Sequence, residues 1–108
     1  MARVYSVSER MMPFFIKVCK RDKVSFTMHG KNEKGFNVKI DCSNNQFKTL
    51  IEDAMCELER SLHNADIPVY SFRTLINPEK KKRLMKMNNR RCFYVLRKDR
   101  EKYLQYIN

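Results

Sequence analysis

The chain has 108 residues, of which 43% are hydrophobic and 32% are charged, with only 2 glycines and 3 prolines. This composition predicts one folded domain over residues 1–108 and excludes a disordered chain or two cores joined by a flexible linker. The formal net charge is +11, and the longest apolar run, residues 11–16, is far shorter than the roughly 20 residues that cross a bilayer, so we expect no membrane segment.

The first half of the chain shows a two-residue alternation of apolar side chains, which is typical of strands. Three strands are predicted, with one apolar face each, formed by Phe14, Ile16 and Val18, by Val24, Phe26 and Met28, and by Phe36, Val38, Ile40 and Cys42. Arg21-Asp22 and the segment from Gly30 to Gly35 suit chain reversals. The pattern therefore predicts an antiparallel β-meander, and residues 4–7 are compatible with a further short strand before it.

A helix is predicted next, over residues 44–64. Ser43 and Gln46 have the spacing of a capping box, in which each side chain binds the backbone N–H of the other residue. One helical face is apolar and comprises Phe47, Leu50, Ile51, Ala54, Met55, Leu58 and Leu62. The acids Glu52, Asp53, Glu57 and Glu59 are predicted to face water.

The last third predicts strand, helix, strand and helix. Residues 69–72 form the first strand, and Asn77-Pro78 begins a short basic helix that ends near Met87. Residues 91–97 are apolar on both faces, which is typical of a central strand, and Asp99 can cap the final helix. The fold class is therefore α+β: a meander, an amphipathic helix and then strand-helix-strand-helix, with the helices packed on one face of a mainly antiparallel sheet.

The four cysteines, Cys19, Cys42, Cys56 and Cys92, lie far apart at apolar positions. We expect buried free thiols rather than a disulfide framework. Cys56 and His63 lie seven positions apart on the predicted helix, but no C-x-x-C pair accompanies them, so we expect no metal site and no cofactor. No nucleophile, phosphate-binding or metal-hydrolase motif is present, and we expect neither an enzyme nor a small-molecule substrate.

The charge is concentrated in residues 77–108, which hold eleven Lys/Arg and three Asp/Glu, whereas residues 43–76 hold three and five. Cationic side chains bind phosphates and release their counterions. The sequence therefore predicts a protein that binds DNA or RNA with little sequence specificity, through Lys80, Lys81, Lys82, Arg83, Lys86, Arg90, Arg91, Arg97 and Lys98. The aromatic residues between them, Phe93, Tyr94, Tyr103 and Tyr106, are expected to belong mainly to the core.

The alternative prediction is a protein-interaction module, either a viral-type accessory factor or a homodimer. The acidic helix face of one copy would bind the basic C-terminal third of another, although the same pairing could form inside one molecule. The abundance of Lys, Asn, Met and Cys resembles that of small proteins of large DNA viruses and phages. We expect an intracellular location, in the nucleus or the cytoplasm of a cell or an infected host, and residues 78–83 fit a nuclear-import signal.

Overall fold

The computed structural model describes residues 2–71, 81–88 and 91–107, and the side chains of these residues except 71, 81–88 and 91–93. The chain forms two compact units, Met1–Leu58 and Glu59–Asn108, so that the division falls within a long helix. Every strand pairing among the described residues is antiparallel, and helices accompany both sheets. The predicted α+β class is confirmed, with the strands divided between two three-stranded sheets instead of joined in one.

The first unit contains β1 (Arg3–Val7), α1 (Met12–Arg21), β2 (Phe26–Asn32), β3 (Gly35–Ile40) and most of α2 (Asn44–Asn64). The strand order is β1-β3-β2, with β3 in the centre. Val38 on β3 lies opposite Tyr5 on β1 and Met28 on β2. The short strand considered at residues 4–7 is thus present and completes the sheet.

The strand predicted around Phe14, Ile16 and Val18 is wrong, because these residues lie in α1. The alternation concealed a helical period: the buried residues of α1 are Met12, Phe15, Val18 and Cys19, spaced three and four apart as on one helical face. Pro13 stands in the first turn, where its missing N–H costs nothing. Lys20 and Arg21 occupy the last turn, where positive charge stabilises the helix by interacting with the negative end of its dipole.

The β2–β3 connection is tighter than the predicted loop from residue 30 to residue 35. Asn32 pairs with Gly35 across the hairpin, so only two residues form the turn. The Lys34 backbone N–H donates to Asn32 Oδ1 at 2.9 Å. Gly30 lies within β2 at an irregularity in the register rather than in a loop.

Helix α2 begins with the predicted capping box. The Ser43 N–H donates to Gln46 Oε1 at 2.8 Å, and the Gln46 N–H donates to Ser43 Oγ at 3.2 Å. The predicted apolar face is buried from Leu50 to Leu62. Phe47 is half-buried and stacks on Tyr5, with ring centroids 4.1 Å apart, which packs the start of α2 against β1.

Helices α1 and α2 end in the same way, with a non-glycine residue in the left-handed conformation. Lys23 has φ of 57° after α1, and Asp66 has φ of 59° after α2. The Val24 N–H donates to the Cys19 carbonyl and the Ile67 N–H to the Leu62 carbonyl, each at 2.8 Å. These are the long hydrogen bonds of the Schellman motif, which satisfy carbonyl groups that the helix leaves open.

The second unit contains the end of α2, β4 (Val69–Ser71), β5 (Lys81–Asn88), β6 (Arg91–Leu96), a 3₁₀ turn (Arg97–Asp99) and α3 (Arg100–Ile107). Its strand order is β4-β6-β5. The central position of β6 and the final helix after Asp99 are confirmed. Val95 and Tyr103 are each 1% exposed and belong to the core of this unit.

The short basic helix predicted from Pro78 to Met87 is wrong over residues 81–88, which form β5; residues 72–80 lie outside the described part. The apolar strand β6 requires a hydrogen-bonded neighbour on each side, and β5 supplies the second. Pairing with β6 therefore overrides the helical preference of lysine, leucine and methionine. A lysine-rich strand is also suited to the edge of a sheet, because its charges discourage pairing with other chains.

Candidate nucleic-acid interface

The predicted cations fall on two adjacent strands and the turn that follows them. Lys81, Lys82, Arg83 and Lys86 belong to β5, Arg91 begins β6, and Arg97 and Lys98 form the 3₁₀ turn. Lys80 and Arg90 lie outside the described residues. Seven of the nine predicted site residues therefore belong to one continuous strand–strand–turn segment of the second unit.

The register of β5 against β6 brings cations that are distant in sequence to the same end of the strand pair. Lys81 lies opposite Leu96, and Arg97 and Lys98 follow Leu96 directly. The side chains of Arg97 and Lys98 are exposed, and so is that of Arg100 at the start of α3. We call the β5–β6 strand pair the ribbon. Its first end comprises Lys81, Lys82, Arg97 and Lys98.

The other end of the same strand pair carries a second cationic group. Lys86 lies opposite Cys92, and Arg91 lies opposite Asn88. Lys86 and Arg91, called the second end of the ribbon below, are thus brought next to the β5–β6 connection. The register is irregular between Arg83 and Met85 and again between Lys86 and Asn88, and such bulges increase the local twist of a strand pair.

The described aromatic residues of this segment divide between core and surface. Tyr94 is 8% exposed and Tyr103 is 1% exposed, so both rings belong to the core, as expected. Tyr106 on α3 is 39% exposed. Phe93 occupies β6, and its side chain lies outside the described part.

One carboxylate lies within the cationic turn. Asp99 is 7% exposed, between the exposed Lys98 and Arg100. Among the described residues, its Oδ2 atom has no hydrogen-bond partner. The carboxylate of Asp99 offsets part of the positive charge that Arg97, Lys98 and Arg100 give to the turn and the first residue of α3.

The acidic face of α2 is less solvated than the sequence predicted, because one of its four acids is buried. Glu57 is 4% exposed, and its carboxylate forms ion pairs with two cations of α1: Lys17 Nζ lies 3.1 Å from Oε2 and Arg21 Nη1 lies 3.3 Å from Oε1. Arg21 Nη2 also lies 3.5 Å from Asp53 Oδ2. The hydrogen bond and the charge of Asp22, followed by the charges of Asp53 and Glu57, raise the pKa of Arg21.

The sequence does not reveal this cluster, because its two-residue alternation predicts a strand at the position of α1. Lys17 and Arg21 are four positions apart, so a helix places them on one side, whereas Asp53 and Glu57 have the same spacing on α2. Two matched pairs at this spacing are the signal that could have revealed two helices packed together. An acid–base pairing inside one molecule thus occurs between α1 and α2 in the first unit, with cations other than those of the basic C-terminal third.

The described thiols lie at buried or half-buried positions, whereas His29 and His63 are exposed. Cys19 and Cys42 are buried, and Cys56 is half-buried. Burial, and secondarily the charge of Asp22, raises the pKa of the Cys19 thiol to about 11, and burial likewise raises that of Cys42. Within the described part of the chain, no three His, Cys, Asp or Glu side chains come close enough together to hold a metal ion.

The first unit has an open cavity of about 360 Å³ beside the start of α2. It is lined by Val24, Asp41, Cys42, Asn45, Gln46, Thr49 and Leu50. Burial makes the one cysteine in this lining a poor nucleophile, because the thiolate is the reactive form and the Cys42 pKa is raised.

No family model, no curated protein and no solved structure matches this chain. Over the residues that the structure describes, no helix is both long and apolar enough to cross a membrane.

Proposed function

We propose that this protein binds nucleic acid through the phosphate backbone, with the β5–β6 strands and the following 3₁₀ turn as the contact surface. The observation that supports this most directly is the register of β5 against β6. It brings Lys81 and Lys82 next to the exposed Arg97 and Lys98, although these pairs lie sixteen positions apart in the sequence.

The expected mechanism is electrostatic. Residues 77–108 hold eleven cationic and three acidic side chains, and each phosphate that a Lys or Arg neutralises releases a condensed counterion. Such contacts position a protein on nucleic acid but carry no base information. The binding is therefore weakly dependent on sequence and strongly dependent on salt.

The internal ion pairs favour this function over the protein-interaction alternative. Self-association through the acidic face of α2 needs that face to be available, and Asp53 and Glu57 already pair with α1 in the same molecule. The excess of cations in residues 77–108 favours an anionic partner, and a phosphate backbone supplies one.

The test is fluorescence anisotropy of a labelled oligonucleotide of mixed sequence. We expect micromolar affinity at low salt, and a fall of log affinity with log salt with a slope magnitude of about 4 to 7. The variant K80Q/K81Q/K82Q/R83Q should lose affinity, and its slope should be shallower by up to about 3.6.

A charge-matched control separates a site from a general effect of net charge. Lys20, Lys34, Lys39 and Lys48 are exposed in the first unit, and the variant K20Q/K34Q/K39Q/K48Q loses the same four charges. We expect the control to keep most of its affinity. If the protein binds neither DNA nor RNA at 50 mM salt, the proposed function is wrong; if both variants lose affinity equally, the proposed surface is wrong.

A further inference from the structure

The sheet of the first unit has room for a further strand beside β1. Both β1 and β2 are antiparallel to β3, which lies between them, so β1 and β2 are parallel to each other, as in a split βαβ unit. The element order β1-α1-β2-β3-α2 is that of a β-α-β-β-α-β motif without its last strand. The next strand along the chain, β4, pairs with β6 in the other sheet. Among the described residues, β1 therefore has a hydrogen-bonded neighbour on one side only.

The other described edge strands carry features that discourage pairing with further chains. Strand β2 has an irregular register between Met28 and Gly30, and Lys31 follows directly. Strand β5 is irregular at two places and carries Lys81 and Lys86 at the two ends of the ribbon. Strand β4 is only 3 residues long. Bulges, lysines and a short length are the devices by which proteins keep sheet edges from associating.

Strand β1 lacks these devices. Its five residues, Arg3–Val7, pair with β3 in one unbroken register, and none of them is proline. Arg3 is the one charged residue of the strand, and its Nη1 donates to Asn44 Oδ1 at 3.0 Å within the same unit. Valine and tyrosine have high strand propensity, and Val4 is 50% exposed. A regular edge of strand-forming residues with a single charge is a template for a further strand.

We propose that β1 pairs with β1 of a second copy of this chain, so that two β1-β3-β2 sheets join into one continuous antiparallel sheet. Two identical antiparallel strands are self-complementary about a two-fold axis, so their pairing is closed. Pairing over the whole length of β1 places Val4 opposite Ser6 of the second copy. Both side chains are exposed and lie on the same face of the sheet, so the pairing covers part of Val4. Because β2 is protected at the opposite edge of this sheet, growth stops at two copies.

The size and the charge of this interface determine how the association responds to salt. A pair of five-residue strands buries less surface than the roughly 1,200 to 2,000 Å² of stable complexes, so the dissociation constant should be on the order of 10 to 100 μM. Backbone hydrogen bonds and the contact of Val4 favour the dimer, whereas the formal charge of +11 on each copy opposes it. Salt screens this repulsion. Dimerisation should therefore strengthen as salt rises, whereas an association of acidic with basic surfaces would weaken.

Analytical ultracentrifugation of the full chain, freed of nucleic acid, tests the pairing. At about 100 μM protein, the dimer fraction of the parent should rise as NaCl increases from about 0.1 M to about 1 M. Val4→Lys should raise the dissociation constant about tenfold, because each copy loses an apolar contact and gains a lysine at the edge. Thr27→Lys is the matched control: Thr27 is exposed on β2, and Val4 and Thr27 lie on either side of Lys39 in one row of the sheet. It adds the same charge beside the same lysine and should dimerise like the parent.

A mixture of V4K and V4E provides a second test. The two side chains at position 4 of the dimer lie on a diagonal of about 7 to 8 Å, within reach of long side chains. Each variant alone should be mainly monomeric, and the mixture should dimerise like the parent because lysine then meets glutamate. Circular dichroism verifies that each variant is folded.

Four results would each overturn the pairing of β1 strands: a parent that is monomeric at high salt, a parent dimer that weakens as salt rises, equal dimerisation of V4K and T27K, or a mixture of V4K and V4E that stays monomeric. None of these measurements involves nucleic acid, so the proposed function stands or falls separately.

Discussion

Gly35 begins β3 with φ of +139°, and a Cβ atom built there would overlap the Val7 carbonyl oxygen. Gly30 has a similar φ of +148°, but its Cβ would meet only Asn37 Nδ2 at 3.9 Å. Both positions favour glycine by conformation, and Gly35 alone is also enclosed. The close approach of β1 to the β2–β3 turn therefore depends on the absence of a side chain at residue 35.

This difference predicts unequal costs for two alanine substitutions. Gly35→Ala should lower the free energy of unfolding by about 2 to 4 kcal/mol, because backbone strain and a clash with backbone add together. Gly30→Ala has the strain alone and should cost about 1 kcal/mol. Urea denaturation monitored by circular dichroism measures both, and equal costs would show that the contact with Val7 is relieved without penalty.

Cys19 supplies a pH-dependent prediction. Burial raises its pKa from 9.0 to about 11 in the folded protein. Above pH 9 the unfolded chain therefore releases this proton while the folded chain retains it, so ionisation favours unfolding. The Cys19 contribution to the free energy of unfolding is constant below pH 9 and falls as the pH rises from 9 towards 11.

The measurement compares the native protein with Cys19→Ala, which lacks this titration, in urea between pH 7.5 and pH 10.5. We expect the native protein to lose more stability over the alkaline part of this range than the variant does. Parallel curves would mean that the buried thiol ionises as readily in the folded chain as in the unfolded one.

At the level of elements, the ion pairs between α1 and α2 join two exposed cations to a buried carboxylate. Glu57 is 5% exposed at its side chain, whereas its partners Lys17 and Arg21 are 65% and 51% exposed. The two cations thus shield a buried carboxylate and keep their own access to water. Removing the carboxylate leaves no unpaired buried charge behind. It should therefore cost less stability than removing the two cations, which would leave the Glu57 carboxylate buried without them.

We therefore expect Glu57→Gln to lower the free energy of unfolding by about 1.5 to 3 kcal/mol, the range for hydrogen bonds to a charged group. Asp53→Asn is the matched control: its side chain is 40% exposed and lies 3.5 Å from Arg21, so it should cost about 0 to 1 kcal/mol. Urea denaturation at neutral pH ranks the two, and a larger cost for Asp53→Asn would contradict the assigned roles.

Local signals in the sequence predicted the elements that depend on local physics. The capping box of Ser43 and Gln46 and the apolar face of α2 are visible because a helix start and its buried stripe are encoded within a few turns. The apolar strand β6 is visible because both of its faces are apolar. Each of these predictions survived because no distant partner was needed to decide it.

The two wrong elements depend on partners elsewhere in the chain. The apolar residues of residues 12–19 satisfy both a two-residue and a helical period, and only packing selects the helix. Residues 81–88 have helical preferences, and only pairing with β6 makes them a strand. The same limit applies to the site: the cationic residues were identified from charge, but the register that brings Lys81 next to Arg97 is a property of the sheet.

At the level of the whole molecule, the two predicted partners differ in which charges they require. Nucleic acid needs the excess of cations in residues 77–108, where eleven Lys/Arg meet three Asp/Glu. Self-association needs acids as well, and Asp53 and Glu57 of α2 already pair with Arg21 inside the molecule. Glu57 is buried, so a variant that removes acidic charge from α2 should leave this residue unchanged.

The last prediction separates the two partners with two variants that avoid this buried residue. K80Q/K81Q/K82Q/R83Q removes basic charge, and E52Q/E59Q removes acidic charge from half-buried positions of α2. We expect the first variant to lose oligonucleotide affinity. The second should bind as well as the parent or better, because it carries less charge that repels phosphate. Anisotropy gives the affinities, and sedimentation at several salt concentrations gives the mass of each protein in solution.

If acid on one copy instead meets base on another, both variants should dissociate at the same salt concentration. If K80Q/K81Q/K82Q/R83Q binds oligonucleotide like the parent while its mass in solution halves, the partner is a second copy of this chain and not nucleic acid.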